Sequence, residues 1–122
     1  MPTHDLKEIL LEVLKHFPPI KRTISIDWVD LESVDNADFL ENNDHACIVM
    51  ENGHAFIGIH PKHKRAPRYV LEYLVFHEVL HIEFGVEHSR LFNVAERLWP
   101  TYIKANDWLF RKHHGAKDVK GK

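Results

Sequence analysis

The chain has 122 residues, of which 44% are hydrophobic and 28% charged, and its formal net charge is −2. This length and composition are typical of one globular domain and exclude a disordered chain. No apolar run approaches the roughly 20 residues of a membrane span, and a lone cysteine, Cys47, cannot form an internal disulfide.

The first third of the chain predicts one helix and one strand. Apolar residues at helical spacing follow Thr3, which can cap a helix, and continue to the helix-stopping pair Pro18-Pro19. Thr23–Val29 alternates with period two, which predicts a half-buried strand. The acidic and amide residues from Asp35 to Asp44 predict a loop.

A β-hairpin is predicted next. Ala46–Met50 has the composition of a strand, and Ala55–His60 has that of its partner, which ends at Pro61. Between them stands Asn52-Gly53, a dipeptide that favours the tight turn of a hairpin.

Three helices are predicted in the second half of the chain. Pro67 opens a helix that runs to about Phe84, and Gly85 follows as its carboxyl-terminal stop. Two further helices are predicted over Ser89–Trp99 and Thr101–Lys112. An N-terminal helix, a small, mostly antiparallel sheet and then three helices predict an α+β fold.

Residues 77–81 form the pattern HExxH within the first of these three helices. Four helical residues turn through about 400°, so His77 and His81 lie on one face and can bind one ion together. Zinc suits two imidazoles and lowers the pKa of a bound water toward about 7. Glu78 is offset from that face, so its carboxylate can accept the proton of the water without binding the metal. The alternative is a pair of core histidines that are hydrogen-bonded to backbone carbonyls.

A catalytic zinc site needs a third protein ligand, and several residues downstream could provide it. His88 is favoured because Gly85 allows the chain to reverse, which would return His88 to the metal. Glu96, two turns into the next helix, is the alternative, and Glu87 stays open as well.

The sequence around the motif resembles the YgjP-like metallopeptidases, small zincins near the SprT-like and minigluzincin groups. In that family an apolar-x-apolar-His/Asn-Pro strand precedes the HExxH helix, and Phe56–Pro61 fits this pattern. The resemblance covers roughly residues 55–110. The other segments that carry it are Tyr73–His81, His88–Phe92, Leu98–Tyr102 and Trp108-Leu109.

This resemblance implies a minimal zincin fold with one zinc ion and with Glu78 as the catalytic residue. The family's third ligand is a His followed by Ser-x-x-Phe, which corresponds to His88 here. The implied metal ligands are therefore His77, His81 and His88.

The resemblance also implies that the strand Ala55–Ile59 forms the upper rim of a cleft. An exposed edge of that strand could pair with an extended peptide substrate. The neighbouring histidines, His54, His60 and His63, are interpreted as exposed loop residues without a function, with metal binding as the alternative.

We expect a zinc metallopeptidase acting on a peptide or protein substrate. One alternative is an SprT-like protease for DNA-bound proteins, which the basic segment Lys62–Arg68 favours and the net charge opposes. Another is a non-enzymatic zinc-binding module, although such a module has no use for a non-ligating Glu78. Without an export signal or a membrane span, the chain is expected to be cytoplasmic, with no membrane partner. We expect one domain over 1–122 with a flexible tail from about residue 113.

Overall fold

Four helices and a four-stranded sheet form the structure, a computed structural model that describes residues 4–30, 41–42, 45–85 and 89–113. This is the α+β organisation predicted from the sequence. The elements in chain order are α1 (Leu6–Leu14), β1 (Thr23–Trp28), β2 (Glu41–Asn42), β3 (Ala46–Glu51), β4 (His54–Ile59), α2 (Arg68–Phe84), α3 (Arg90–Arg97) and α4 (Tyr102–His113). Thr3, most of the predicted loop 35–44, His88 and the tail after residue 113 lie outside the described residues.

Helix α1 begins at a side-chain cap and packs one apolar face on the rest of the fold. The Oδ1 atom of Asp5 accepts hydrogen bonds from the backbone N–H groups of Lys7, at 2.9 Å, and Glu8, at 3.4 Å. This face contacts α2 and β1. Its buried residues are Leu6, Ile9, Leu10 and Val13.

The sheet has the strand order β1-β4-β3-β2. The predicted hairpin joins β3 to β4, and both turn residues have positive φ, 51° at Asn52 and 83° at Gly53. This is the combination that a two-residue type I′ turn requires. The sheet is mostly antiparallel as predicted, but β1 pairs with β4 in parallel.

Two expectations about the sheet are wrong. The strand Ala55–Ile59 has no exposed edge, because β4 is hydrogen-bonded to β1 on one side and to β3 on the other. A peptide substrate therefore cannot pair with it as an added strand. Glu41 and Asn42, assigned to a loop, form a short strand because they pair with Ile48 and Cys47 of β3.

Helix α2 lies at the centre and contacts α1, α3, α4 and the sheet. It starts after Pro67 and ends at Gly85, as the sequence predicts. No helix in the described part of the chain is both long and apolar enough to cross a membrane. Helix α3 begins where the Oγ atom of Ser89 accepts the backbone N–H of Phe92 at 3.2 Å.

The close approach of β3 and β4 leaves little space for a side chain at position 58, which predicts the effect of substituting Gly58. A Cβ atom at this position would lie 2.8 Å from Sγ of Cys47 and 3.0 Å from Cγ2 of Val29. We expect Gly58→Ala to lower the free energy of unfolding by about 1–3 kcal/mol through overpacking, measured by chemical denaturation. Adding Cys47→Ala removes the closer contact and should restore part of the loss. An unchanged denaturation midpoint in Gly58→Ala would contradict this packing.

Candidate metal centre

The two histidines of the HExxH pattern lie side by side on α2. Their ring centroids are 5.1 Å apart, and the ring planes are inclined at 78°. Both rings contact Phe92 of α3, at centroid distances of 5.2 Å for His77 and 4.7 Å for His81. The shared face predicted from the spacing is thus present, and Phe92 forms an apolar wall beside it.

The backbone at the end of α2 holds the ring of His81. Its Nδ1 atom lies 2.8 Å from the carbonyl oxygen of Gly85, whose own N–H donates to the carbonyl of His81 at 2.9 Å. A carbonyl oxygen can only accept, so Nδ1 carries the proton and Nε2 carries the lone pair. Gly85 adopts φ 92° and ψ −176°, a conformation essentially confined to glycine. Gly85 therefore ends the helix and also orients a histidine.

A carboxylate from α3 holds the ring of His77. The Oε2 atom of Glu96 lies 2.6 Å from Nδ1 of His77 and also accepts the hydroxyl of Tyr73 at 2.6 Å. Burial, and then this hydrogen bond, raise the pKa of Tyr73 well above its usual value, so its hydroxyl stays a donor. With Nδ1 donating to the carboxylate, Nε2 of His77 is the nitrogen with the lone pair.

Glu78, the residue that follows His77, lies near β3 of the sheet. Glu78 is fully buried on α2. Burial and, secondarily, the charge of Glu78 raise the pKa of the Cys47 thiol to about 11. The thiol of Cys47 therefore stays protonated at neutral pH, and the carboxylate of Glu78 lies close to β3.

The candidates for a third ligand differ in whether the structure describes them. His88 and Glu87 both lie outside the described residues, and within 4–30, 41–42, 45–85 and 89–113 no three His, Cys, Asp or Glu side chains are grouped to hold one metal ion. The contact of Glu96 is with Nδ1 of His77, the nitrogen on the opposite side of the ring from Nε2. This position suits a residue that orients a ligand better than it suits a ligand.

A cleft of about 330 Å³ opens beside His77, between the start of β3, α2 and α4. Its volume is within the range of small-ligand sites. The lining residues are His45, Tyr73, Leu74, His77, Asn106, Leu109 and Phe110.

His45 lines the cleft, but the sequence did not indicate it as a candidate site residue. The environment predicted for its neighbour His63 is wrong. His63 was expected to be exposed, but it is fully buried, since the short 3-10 helix Pro61–His63 turns it inward. His54 lies in β4 and contacts side chains of β1, and the ring of His60 accepts the backbone N–H of Lys62 in the 3-10 helix. The local sequence could not predict the position of His63, because its ring contacts His45, which lies in a distant part of the chain.

No family model matches this chain, and no curated protein matches it. The relation to the YgjP-like and SprT-like metallopeptidases therefore stays a prediction from the sequence motifs.

The hydrogen bonds behind His77 predict the metal affinities of two variants. His88→Ala removes a proposed ligand and should abolish stoichiometric zinc binding. Glu96→Ala should keep the site but weaken zinc affinity by about 10–100-fold, because His77 loses the acceptor that orients its ring. Competition with a chromogenic chelator measures both dissociation constants.

Tyr73→Phe is the matched control, since it keeps the hydrogen bond that His77 donates to Glu96 and removes only the second donor, the hydroxyl of Tyr73. Its zinc affinity should lie between those of wild type and Glu96→Ala. Loss of zinc in Glu96→Ala together with full binding in His88→Ala would identify Glu96 as the ligand.

Proposed function

We propose that this protein is a zinc-dependent metallopeptidase, with His77, His81 and His88 as metal ligands and Glu78 as general base. The observation that carries the proposal is the anchoring of both α2 histidines through Nδ1. Two adjacent imidazoles with their Nε2 lone pairs on one helix face match the way in which histidine binds zinc. A pair of core histidines would need only satisfied hydrogen bonds, not neighbouring rings on one helix face.

The donor set fits zinc. Imidazole is a preferred zinc ligand, and a carboxylate–histidine contact such as Glu96–His77 is the usual support for one. When bound, zinc supplies Lewis acidity: it polarises a carbonyl group and lowers the pKa of a water molecule. The sequence supports His88 as the third ligand, because only three residues separate Gly85, which contacts His81, from Ser89, which caps α3.

Glu78 performs the proton transfer in this proposal. Its position, next to His77 on α2 and close to β3, keeps the carboxylate off the face that carries the two histidines. The carboxylate accepts a proton from the attacking water and returns it to the leaving amine. A buried carboxylate that does not bind the metal has a use in hydrolysis and none in a purely structural zinc site.

The cleft beside His77 is the proposed substrate site. Its apolar residues, Leu74, Leu109 and Phe110, suit a side chain next to the scissile bond. Since β4 is internal, we propose that the substrate is held by side chains of the cleft rather than by strand addition. The single Cys47 fits a reducing compartment, and we propose that the activity is cytoplasmic.

Substitution of Glu78 tests the catalytic role. Glu78→Gln keeps the size of the side chain and removes the proton acceptor, so zinc content should stay at one per chain. The rate of peptide cleavage should fall by about 10²–10⁴-fold from lost general-base catalysis. Mass spectrometry of a peptide library at neutral pH, with wild type and variant in parallel, measures the two rates.

Equal cleavage by wild type and Glu78→Gln would show that another protein or mechanism is responsible. If zinc-loaded wild type cleaves no peptide in the library, the non-enzymatic zinc-binding module gains support. Glu83→Gln is the matched control, because it makes the same change at the exposed end of α2. It should leave the rate unchanged.

Zinc should also stabilise the fold, because its ligands join α2 to the segment that precedes α3. Binding to the native state alone adds RT ln(1 + [L]/Kd), which is about 4 kcal/mol at a thousandfold excess of zinc over Kd. Removing zinc with a chelator should lower the melting temperature by several degrees. Differential scanning calorimetry checks this, and identical transitions with and without zinc would contradict it.

A further inference from the structure

The cleft carries a histidine pair that the proposed zinc chemistry does not use. His45 lines the cleft together with His77. The Nδ1 atom of His45 lies 3.1 Å from Nε2 of His63, and the side chain of His63 is fully buried. A buried imidazole thus holds the ring of a residue that faces the cleft.

Several contacts hold this pair in place. The carbonyl of His45 accepts the backbone N–H of His60 at 3.0 Å, and the carbonyl of His60 accepts the N–H of His63 at 3.0 Å. The ring of His63 packs near Trp108 of α4, with centroids 6.0 Å apart. Both rings are therefore positioned by backbone and core contacts.

Two other polar side chains of the cleft form hydrogen bonds within the protein. The hydroxyl of Tyr73 donates to Glu96, and the side-chain amide of Asn106 donates to the carbonyl of Tyr102 at 2.8 Å. A metal site at the histidine pair has no support, because no third ligand is grouped with it among the described residues. His45 lines the same cleft as His77, at the start of β3.

We propose that His45 is a second catalytic residue, whose Nε2–H donates a hydrogen bond to the carbonyl oxygen of the scissile bond. This inference rests on the proposed peptidase function. The carbonyl oxygen gains negative charge during attack, so a donor placed there stabilises the transition state more than the substrate. His45 itself transfers no proton.

His63 is the positioning residue in this proposal. The proposal assigns the proton of the His45–His63 hydrogen bond to Nε2 of His63, which places the single proton of a neutral His45 on Nε2. The opposite direction of this hydrogen bond would leave His45 with a lone pair toward the cleft, which would repel a carbonyl oxygen. The role of His63 is therefore to select the tautomer of His45.

Binding of a tetrahedral anion tests His45 without requiring turnover. The probe is a peptide phosphonate, and calorimetry measures its Kd for zinc-loaded wild type, His45→Ala and His45→Gln. His45→Ala should weaken binding by about 10–100-fold, as expected for one lost hydrogen bond to a charged group. His45→Gln retains an N–H donor and should recover part of the affinity. His54→Ala is the matched control, because it removes an exposed histidine whose contacts are with Thr23 and Ser25.

Nitrogen-15 NMR of the histidine rings tests the tautomer independently of activity. Wild-type His45 should show the Nε2–H tautomer, and His63→Phe should give a mixture of both tautomers. His45 in the Nδ1–H tautomer would overturn the proposal, and so would equal phosphonate affinity in His45→Ala and His54→Ala or no binding by wild type. Failure of the peptidase function has a separate signature, namely equal peptide cleavage by wild type and Glu78→Gln.

Discussion

The burial of α2 is the constraint on which the rest of the structure depends. The helix is surrounded by α1, α3, α4 and the sheet, yet residues 77–81, little more than one helical turn, bring His77, Glu78 and His81 into this interior. Buried polar groups without partners cost several kcal/mol each, so the surrounding elements must supply them. Glu96 does so from α3, and the carbonyl of Gly85 does so at the end of α2 itself. The groups that form hydrogen bonds with the two histidines of this buried helix therefore also orient their rings.

The elements themselves were predictable because their signals are local. Pro67 and Gly85 mark both ends of α2, Asn52-Gly53 marks the hairpin, and the HExxH spacing alone places two histidines on one face. Each of these inferences uses residues within a few positions of one another, where helical and strand geometry decide the outcome.

The relations between distant residues were not predictable in the same way. The parallel pairing of β1 with β4 brings together strands that are far apart in the chain. The alternation of apolar and polar residues within a strand does not indicate which other strand it pairs with. For the same reason β4 was expected to have an exposed edge. Glu96 was selected as a candidate from its helical position, but only the packing of α3 on α2 shows that it contacts Nδ1 of His77. The burial of His63 follows from a 3-10 turn that begins at Pro61, a proline that the sequence indicates only as a strand end.

The hydrogen bonds around the histidines bear directly on how well a small domain can hold a metal ion. A histidine on a flexible rotamer loses side-chain entropy when it binds, which lowers its affinity. Here the ring of His77 is set by Glu96, which Tyr73 holds in turn, and both histidine rings rest on Phe92. Much of the side-chain ordering that metal binding would require is therefore already present in the protein without an ion. The same core contacts that stabilise α2 against α3 thus preorganise the two histidines of α2 that we propose as metal ligands.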